Sequence, residues 1–286
     1  MKKTLIALAA LAMVAACNKA EVIEATQDNL IGFEAPFVDN ATKATDNTYG
    51  ATNKLTSFDV YGTVTGTAGT VNIFDGVAVT GTAGTSTIWS YDAQYAQYWI
   101  PGADYNFAAV VDADAVAQDG KKMPTTLTYK TAGQKDLLFA TALVEDAEST
   151  EDAVDFTFAH LLSKAHFTVT SNTAGGYSHT VKDITVSNFE TGTYTIANGT
   201  WAGATDTNIE FGAVENVTAA TGAQTNETEM LLIPNAEKFN VKFTVELAKG
   251  GVVLGRETKT IEVDTDLVKG NAYNFTIACS VGNPIL

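Results

Sequence analysis

Apolar residues recur at every second position along much of this chain. Phe58, Val60, Gly62 and Val64 share one parity, as do Tyr105, Phe107, Ala109 and Val111. Phe239, Val241, Phe243, Val245 and Leu247 give the longest unbroken alternation, and Tyr273, Phe275, Ile277, Cys279 and Val281 repeat it near the end. A period of two puts such residues on one face of a β-strand. Turn signals separate the runs. Asp75-Gly76 in "VNIFDGVAVTG" predicts a hairpin with a type I′ turn, Asn198-Gly199 in "TYTIANGTW" signals a second hairpin, and Gly250-Gly251 turns the 239–247 strand back toward Leu254. Strong helical periodicity is nearly absent. The pattern predicts an all-β protein of sandwich type.

Two segments break the alternation. In "VDFTFAHLLSKAHFTVT", Val154, Phe156 and Phe158 are even but Ala165, Phe167 and Val169 are odd. A one-residue slip turns side chains to the opposite face, so a helical turn or a bulge is expected between His160 and Lys164. The acidic stretch "VEDAESTEDAVD" reads as a linker or as a solvated loop. A division near residue 150 gives an N-terminal sandwich over 17–150 and a C-terminal one over 151–286.

The N-terminus follows neither pattern. Lys2 and Lys3 precede an almost wholly apolar run over 4–16, shorter than the roughly 20 residues of a membrane-spanning helix. This is the layout of a secretory signal peptide. Val14-Ala15-Ala16-Cys17 resembles a bacterial lipobox, in which Cys17 becomes the first residue and carries acyl chains. Each buried methylene adds about 0.8 kcal/mol, so several chains hold a protein stably to a membrane without a spanning helix. The expectation is a palmitate-type lipoprotein on the outer membrane, facing outward. Cys279 would be the one unmodified thiol, on the apolar face of its strand, and no disulfide framework follows.

Charge narrows the partners. The chain carries 33 acidic against 17 basic residues, a formal charge of −16, and Arg256 is its only arginine. Such a surface repels phosphate backbones, which argues against nucleic acid. Catalytic signatures are missing: no Gly-rich phosphate loop, no nucleophile elbow, no H-E-x-x-H. His160, His166 and His179 lack metal-ligand spacing, and a structural role is expected for each. Neither an enzyme, a cofactor nor a metal site is predicted. One cluster has binding chemistry. Trp89, Tyr91, Tyr95, Tyr98 and Trp99 in "WSYDAQYAQYW" could stack on sugar rings, as in a glycan-binding lipoprotein of a polysaccharide-uptake system. The plainer reading makes Tyr98 and Trp99 the start of a core strand, with the other rings covering a sheet.

Several segments together resemble the fimbrillin-like proteins of Bacteroidales, the subunits of type V pili. "AQYWIPGADYNFAAVV" is similar to their Tyr-Trp-x-Pro-Gly…Tyr-x-Phe stretch. "DLLFATA" at 136–142 and "FTFAHLLSKAHFTV", with His160, Ser163 and Lys164, resemble two further motifs. "EMLLIPN" and "LVKGNAYNFTI" resemble the late strands. The resemblance implies two transthyretin-like sandwiches, export as a lipoprotein, and assembly with other pilus subunits by strand complementation. A host or bacterial surface ligand is a further implied partner. In such pilins a protease removes an N-terminal strand, and a neighbouring subunit's strand fills the gap. The corresponding segment here is "NLIGFEAPFV" (29–38), with Leu30, Ile31, Phe33 and Phe37, followed by a polar loop over 39–54. The family's cut typically follows Arg. This loop has none, so Lys43, then Lys54, take its place. The tail after Ile277 is short for a donor strand, which leaves tip, anchor, accessory and stalk positions open.

Overall fold

The computed structural model describes residues 29–34, 36–38, 55–81, 88–149, 151–226, 228–235 and 238–281. The signal segment, Cys17, Lys43 and Lys54 lie outside them. The chain is all-β. It runs through β1 (Phe33–Glu34), β2 (Phe37–Val38), β3 (Ser57–Gly66), β4 (Gly69–Thr80), β5 (Ile88–Trp89), β6 (Asp104–Val111), β7 (Ala115–Gln118), β8 (Pro124–Lys130), β9 (Leu138–Val144) and β10 (Thr157–His160). It continues through β11 (Ser163–Ser171), β12 (Tyr177–Thr195), β13 (Thr200–Glu210), β14 (Val214–Val217), β15 (Gln224–Thr225), β16 (Met230–Leu232), β17 (Phe239–Lys249), β18 (Val252–Val263) and β19 (Ala272–Cys279). Among the described residues no helix is long and apolar enough to cross a membrane.

A six-stranded sheet, in the order β2-β10-β9-β6-β3-β4, and the small β1-β5 sheet enclose the first core. The second core lies between two further sheets. In one, β11 pairs in parallel with β19 on one side and antiparallel with β16 and β15 on the other. In the other, the long β12 pairs with β17, β8, β13 and β14, while β18 and β7 extend its flanks. This second core holds Phe167, Val181, Val186, Phe211, Phe243 and Ile277. Cys279 is buried there too, and burial pushes its thiol up to about 11. A third apolar cluster joins the two halves. Tyr61, Ala108 and Val110 of the first sheet meet Leu127, Tyr129, Tyr194, Leu231 and Ile233 of the second half, with Leu161 and Leu162 between them. It covers what would otherwise be the wet face of the first sheet, so β3 and β6 are buried on both faces along half their length.

Two sequence expectations need correcting. Asp75-Gly76 is not a hairpin turn. β4 runs straight through it and pairs with β3 from end to end, with a register slip between Val60 and Tyr61. Gly76 takes the left-handed conformation at φ 67° and absorbs the slip as a bulge. The hairpin closes instead between Gly66 and Gly69. The parity shift after His160 is neither a bulge nor a helical turn. The chain leaves the first sheet at His160 and enters another at Ser163. Leu161 and Leu162, both buried, make the crossing. The acidic stretch after Val144 returns the chain to β10, which pairs with β9. Hairpins do form at Asn198-Gly199, between β12 and β13, and at Gly250-Gly251, between β17 and β18.

Candidate functional site

Residues 29–34 occupy a slot with backbone partners on both sides, and residues 37–38 continue along one of them. Toward one side, the Ile31 N–H donates to the Gln97 carbonyl at 2.9 Å, and the Trp99 N–H donates to the Asn29 carbonyl at 2.9 Å. Phe33 pairs antiparallel with Trp89. The Tyr91 hydroxyl donates to the Ile31 carbonyl at 2.7 Å. Toward the other side, the Val154 N–H donates to Gly32 at 2.8 Å, the Glu34 N–H to Val154 at 3.1 Å, and the Phe37 N–H to Phe156 at 3.0 Å. Here the chains run parallel, and β2 continues the pairing onto β10. A strand bonded along both edges leaves unpaired N–H and C=O groups on both neighbours if it departs.

Its side chains complete the first core. Ile31 and Phe33 are fully buried, and Val38 nearly so. The Phe33 ring is surrounded by aromatic neighbours. Phe58, Phe74, Tyr91 and Phe107 approach edge-on at 5.6–6.2 Å, and Phe156 stacks at 5.9 Å. Each buried side chain of this size contributes about 2 kcal/mol. The other two residues read as part of the removable strand do not face in: Leu30 is 40% exposed and Phe37 61%. Pro36 lies between Phe33 and Phe37, and past it the inward parity passes to Val38.

One feature of the slot fits its occupant poorly. On the outer side, Glu34 lies next to Asp155 across the parallel pairing. Repulsion from Asp155, with loss of solvation and the nearby Asp152, holds the Glu34 carboxyl above its ordinary value.

The two tryptophans of the aromatic cluster read as a candidate sugar platform lie in the core. Trp89 and Trp99 are only 4% and 2% exposed. Trp89 stacks on Phe58 at 5.5 Å, and Trp99 meets the Tyr105 ring edge-on at 4.7 Å. Tyr91 is half-buried and bonded to Ile31, so only Tyr95 and Tyr98 present substantial surface. Rings that build the core cannot offer a face to a ligand. Trp89 also explains Gly81, where an added Cβ would come within 2.4 Å of the indole ring.

The remaining motif residues meet elsewhere, at the joint between the halves. Asp136 and His160 are both buried, 2.9 Å apart. Lys164, also buried, reaches Glu229 at 3.2 Å, and His166 contacts the same carboxylate at 3.3 Å. The Ser163 hydroxyl donates to the Val268 carbonyl, the Lys164 N–H to Asn271, and the Gly270 N–H to Leu162. His179 stands apart, 3.0 Å from the Ser171 hydroxyl. Segments far apart in sequence are thus tied at one place by buried polar contacts, and among the described residues no cluster of side chains could hold a metal ion.

A family profile described as fimbrillin-like matches residues 42–285. A search of curated proteins gives no significant match. Among solved structures, the chain is similar to a fimbrial protein from Bacteroides vulgatus, with a TM-score of 0.62 at 15% identity over 89% of this chain and 96% of that one. It is also similar to a candidate cell adhesion protein from Bacteroides ovatus, with a TM-score of 0.56 at 15% identity over 91% and 95% of the two chains. Another from Bacteroides uniformis gives 0.50 at 18% identity, over 91% and 96%. At such identities the structural likeness establishes the fold.

Proposed function

The chain belongs to the fimbrillin-like family, and on that premise we propose that it is a cell-surface fimbrial or adhesion subunit, anchored to the outer membrane by acyl chains on Cys17, that joins other pilus subunits by strand complementation. The observation that carries the reading is the slot. Residues 29–34 are bonded on both sides, residues 37–38 pair with β10, and Ile31, Phe33 and Val38 are buried in the first core. Their departure opens a strand-shaped groove that a neighbour's extended segment fills by the same backbone bonds. Lys43 and Lys54 follow the segment in sequence and are the places for a cut that frees it. The two sandwiches act as successive domains that hand over at Leu161-Leu162, and the buried polar joint keeps their relation fixed while the slot changes occupant.

The test is assembly after cleavage. Chain cut after Lys43 should form ladders on a denaturing gel run without boiling, whereas uncut chain should run as a monomer. Monomers from both would overturn the assembly reading. For the anchor, Cys17→Ser should release the protein from the membrane fraction; a variant held as firmly as the wild type would remove the acyl-chain premise. Sequencing the N-terminus of sheared surface material tells the positions apart: a blocked Cys17 marks an uncut anchor, and a start at Ala44 or Leu55 marks a processed subunit.

A further inference from the structure

Resting on the strand-exchange reading, we infer a charge preference for the slot's incoming strand: an extended segment that keeps the apolar residues at the Ile31 and Phe33 positions but is neutral or basic where Glu34 stands. The pairing geometry sets up the argument. Phe33 and Val154 are bridged in parallel, and the Glu34 N–H donates to the Val154 carbonyl. The next residues in register, Glu34 and Asp155, therefore sit side by side. Asp152 adds a third carboxylate from the same acidic segment. On the other side, Glu34 pairs with Ile88, and the stretch Ile88–Tyr91 carries no basic residue. Among the described residues none of the three carboxylates has a cation within reach. Like charges on neighbouring strands weaken a pairing, and opposite ones strengthen it.

A second copy's own 29–38 strand brings the same Glu34 to Asp155. Simple swapping between identical copies would therefore relieve nothing, and the preferred occupant differs in sequence from 29–38.

The experiment has two arms on the full chain at neutral pH. The first is hydrogen exchange at the Glu34 and Phe37 amides, which report opening of the strand. Glu34→Lys should slow opening about fivefold, Glu34→Gln and Asp155→Asn by less, and the double Glu34→Gln/Asp155→Asn variant should gain little over either single one. Unchanged or faster opening in both Glu34→Gln and Asp155→Asn overturns the inference. The second arm adds labelled decapeptides of sequence NLIGFEAPFV or NLIGFKAPFV. The lysine form should be captured about fivefold more. Equal capture of the two overturns the charge preference and leaves strand exchange standing. If neither peptide is captured while Glu34→Lys still slows opening, the repulsion stands and the strand-exchange reading fails.

Discussion

The slot and the joint hold strands together by opposite means. At the joint, buried polar side chains meet a partner: Asp136 lies within hydrogen-bond distance of His160, Lys164 faces Glu229, and Ser163 donates to Val268. In the slot the strand is held by backbone bonds and apolar burial as well, but on its outer side Glu34 faces Asp155. Buried polar groups are costly unless partnered, so the joint has little freedom to rearrange. The slot loses less when its strand leaves, because departure separates the like charges of Glu34 and Asp155. One molecule thus contains a permanent seam and a releasable one.

The largest effects should come from cutting each seam at its centre. Phe33→Ala removes the ring at the centre of the aromatic cluster and should cost about 3–5 kcal/mol. Asp136→Ala leaves the buried His160 ring without its hydrogen-bond partner and should cost about 1–3 kcal/mol of global stability. The comparison lies in where the loss appears. Hydrogen exchange should show Asp136→Ala lowering protection throughout both sandwiches. Phe33→Ala should lower it first in 29–38 and in the strands that border the slot. If both variants lose protection uniformly, the slot is not a separate unit of opening.

A smaller effect tests how the slot wall is built. Gly81→Ala drives a methyl into the Trp89 ring and should cost about 1–3 kcal/mol, because the indole is held between Phe58 and the chain at Gly81. A thermal melt that matches the wild type would mean that the Trp89 wall can yield. On the outer side of the same strand, Phe37→Ala should change stability by no more than about 0.5 kcal/mol, since the ring is mostly exposed. A large loss there would show that Phe37 is held in a way its exposure does not reveal.

Much of the fold could be read from parity, because the sheets alternate strictly wherever one face meets a core and the other meets water. The reading failed where a second layer covers that other face or where a partner strand decides between equivalent signals. Asp75-Gly76 suits a bulge as well as a turn, and only the length of β3 opposite it chooses. The Leu161-Leu162 crossing reads as a slip within one strand because a sequence does not show two sheets. The slot was legible as an apolar segment, but its inward set was not. Pro36 was the available signal. It has no N–H to donate, it interrupts the pairing, and past it the inward side passes from the parity of Ile31 and Phe33 to Val38. The repulsion at Glu34 could not be read at all, since Asp155 lies far away in sequence and meets it only through the parallel pairing.

The smallest effect is one of sign, and it sets slot and body against each other. Glu34 has a folded-state pKa raised above its ordinary value by Asp155. A raised carboxyl binds its proton more tightly when the strand is in place, so the slot is at its firmest below the ordinary carboxylate range and loosens as pH rises through the raised value. His179, in the second sandwich, has a folded-state pKa lowered by burial. Its contribution is present above the ordinary imidazole value and is lost as pH falls toward the lowered one. Mild acidification should therefore improve protection of 29–38 relative to the amides of β12 and β17. Glu34→Gln should abolish the gain in the slot, and His179→Gln should abolish the loss in the body. Protection that falls in parallel across both regions, in the wild type and in Glu34→Gln alike, would show that the two seams respond to acid as one.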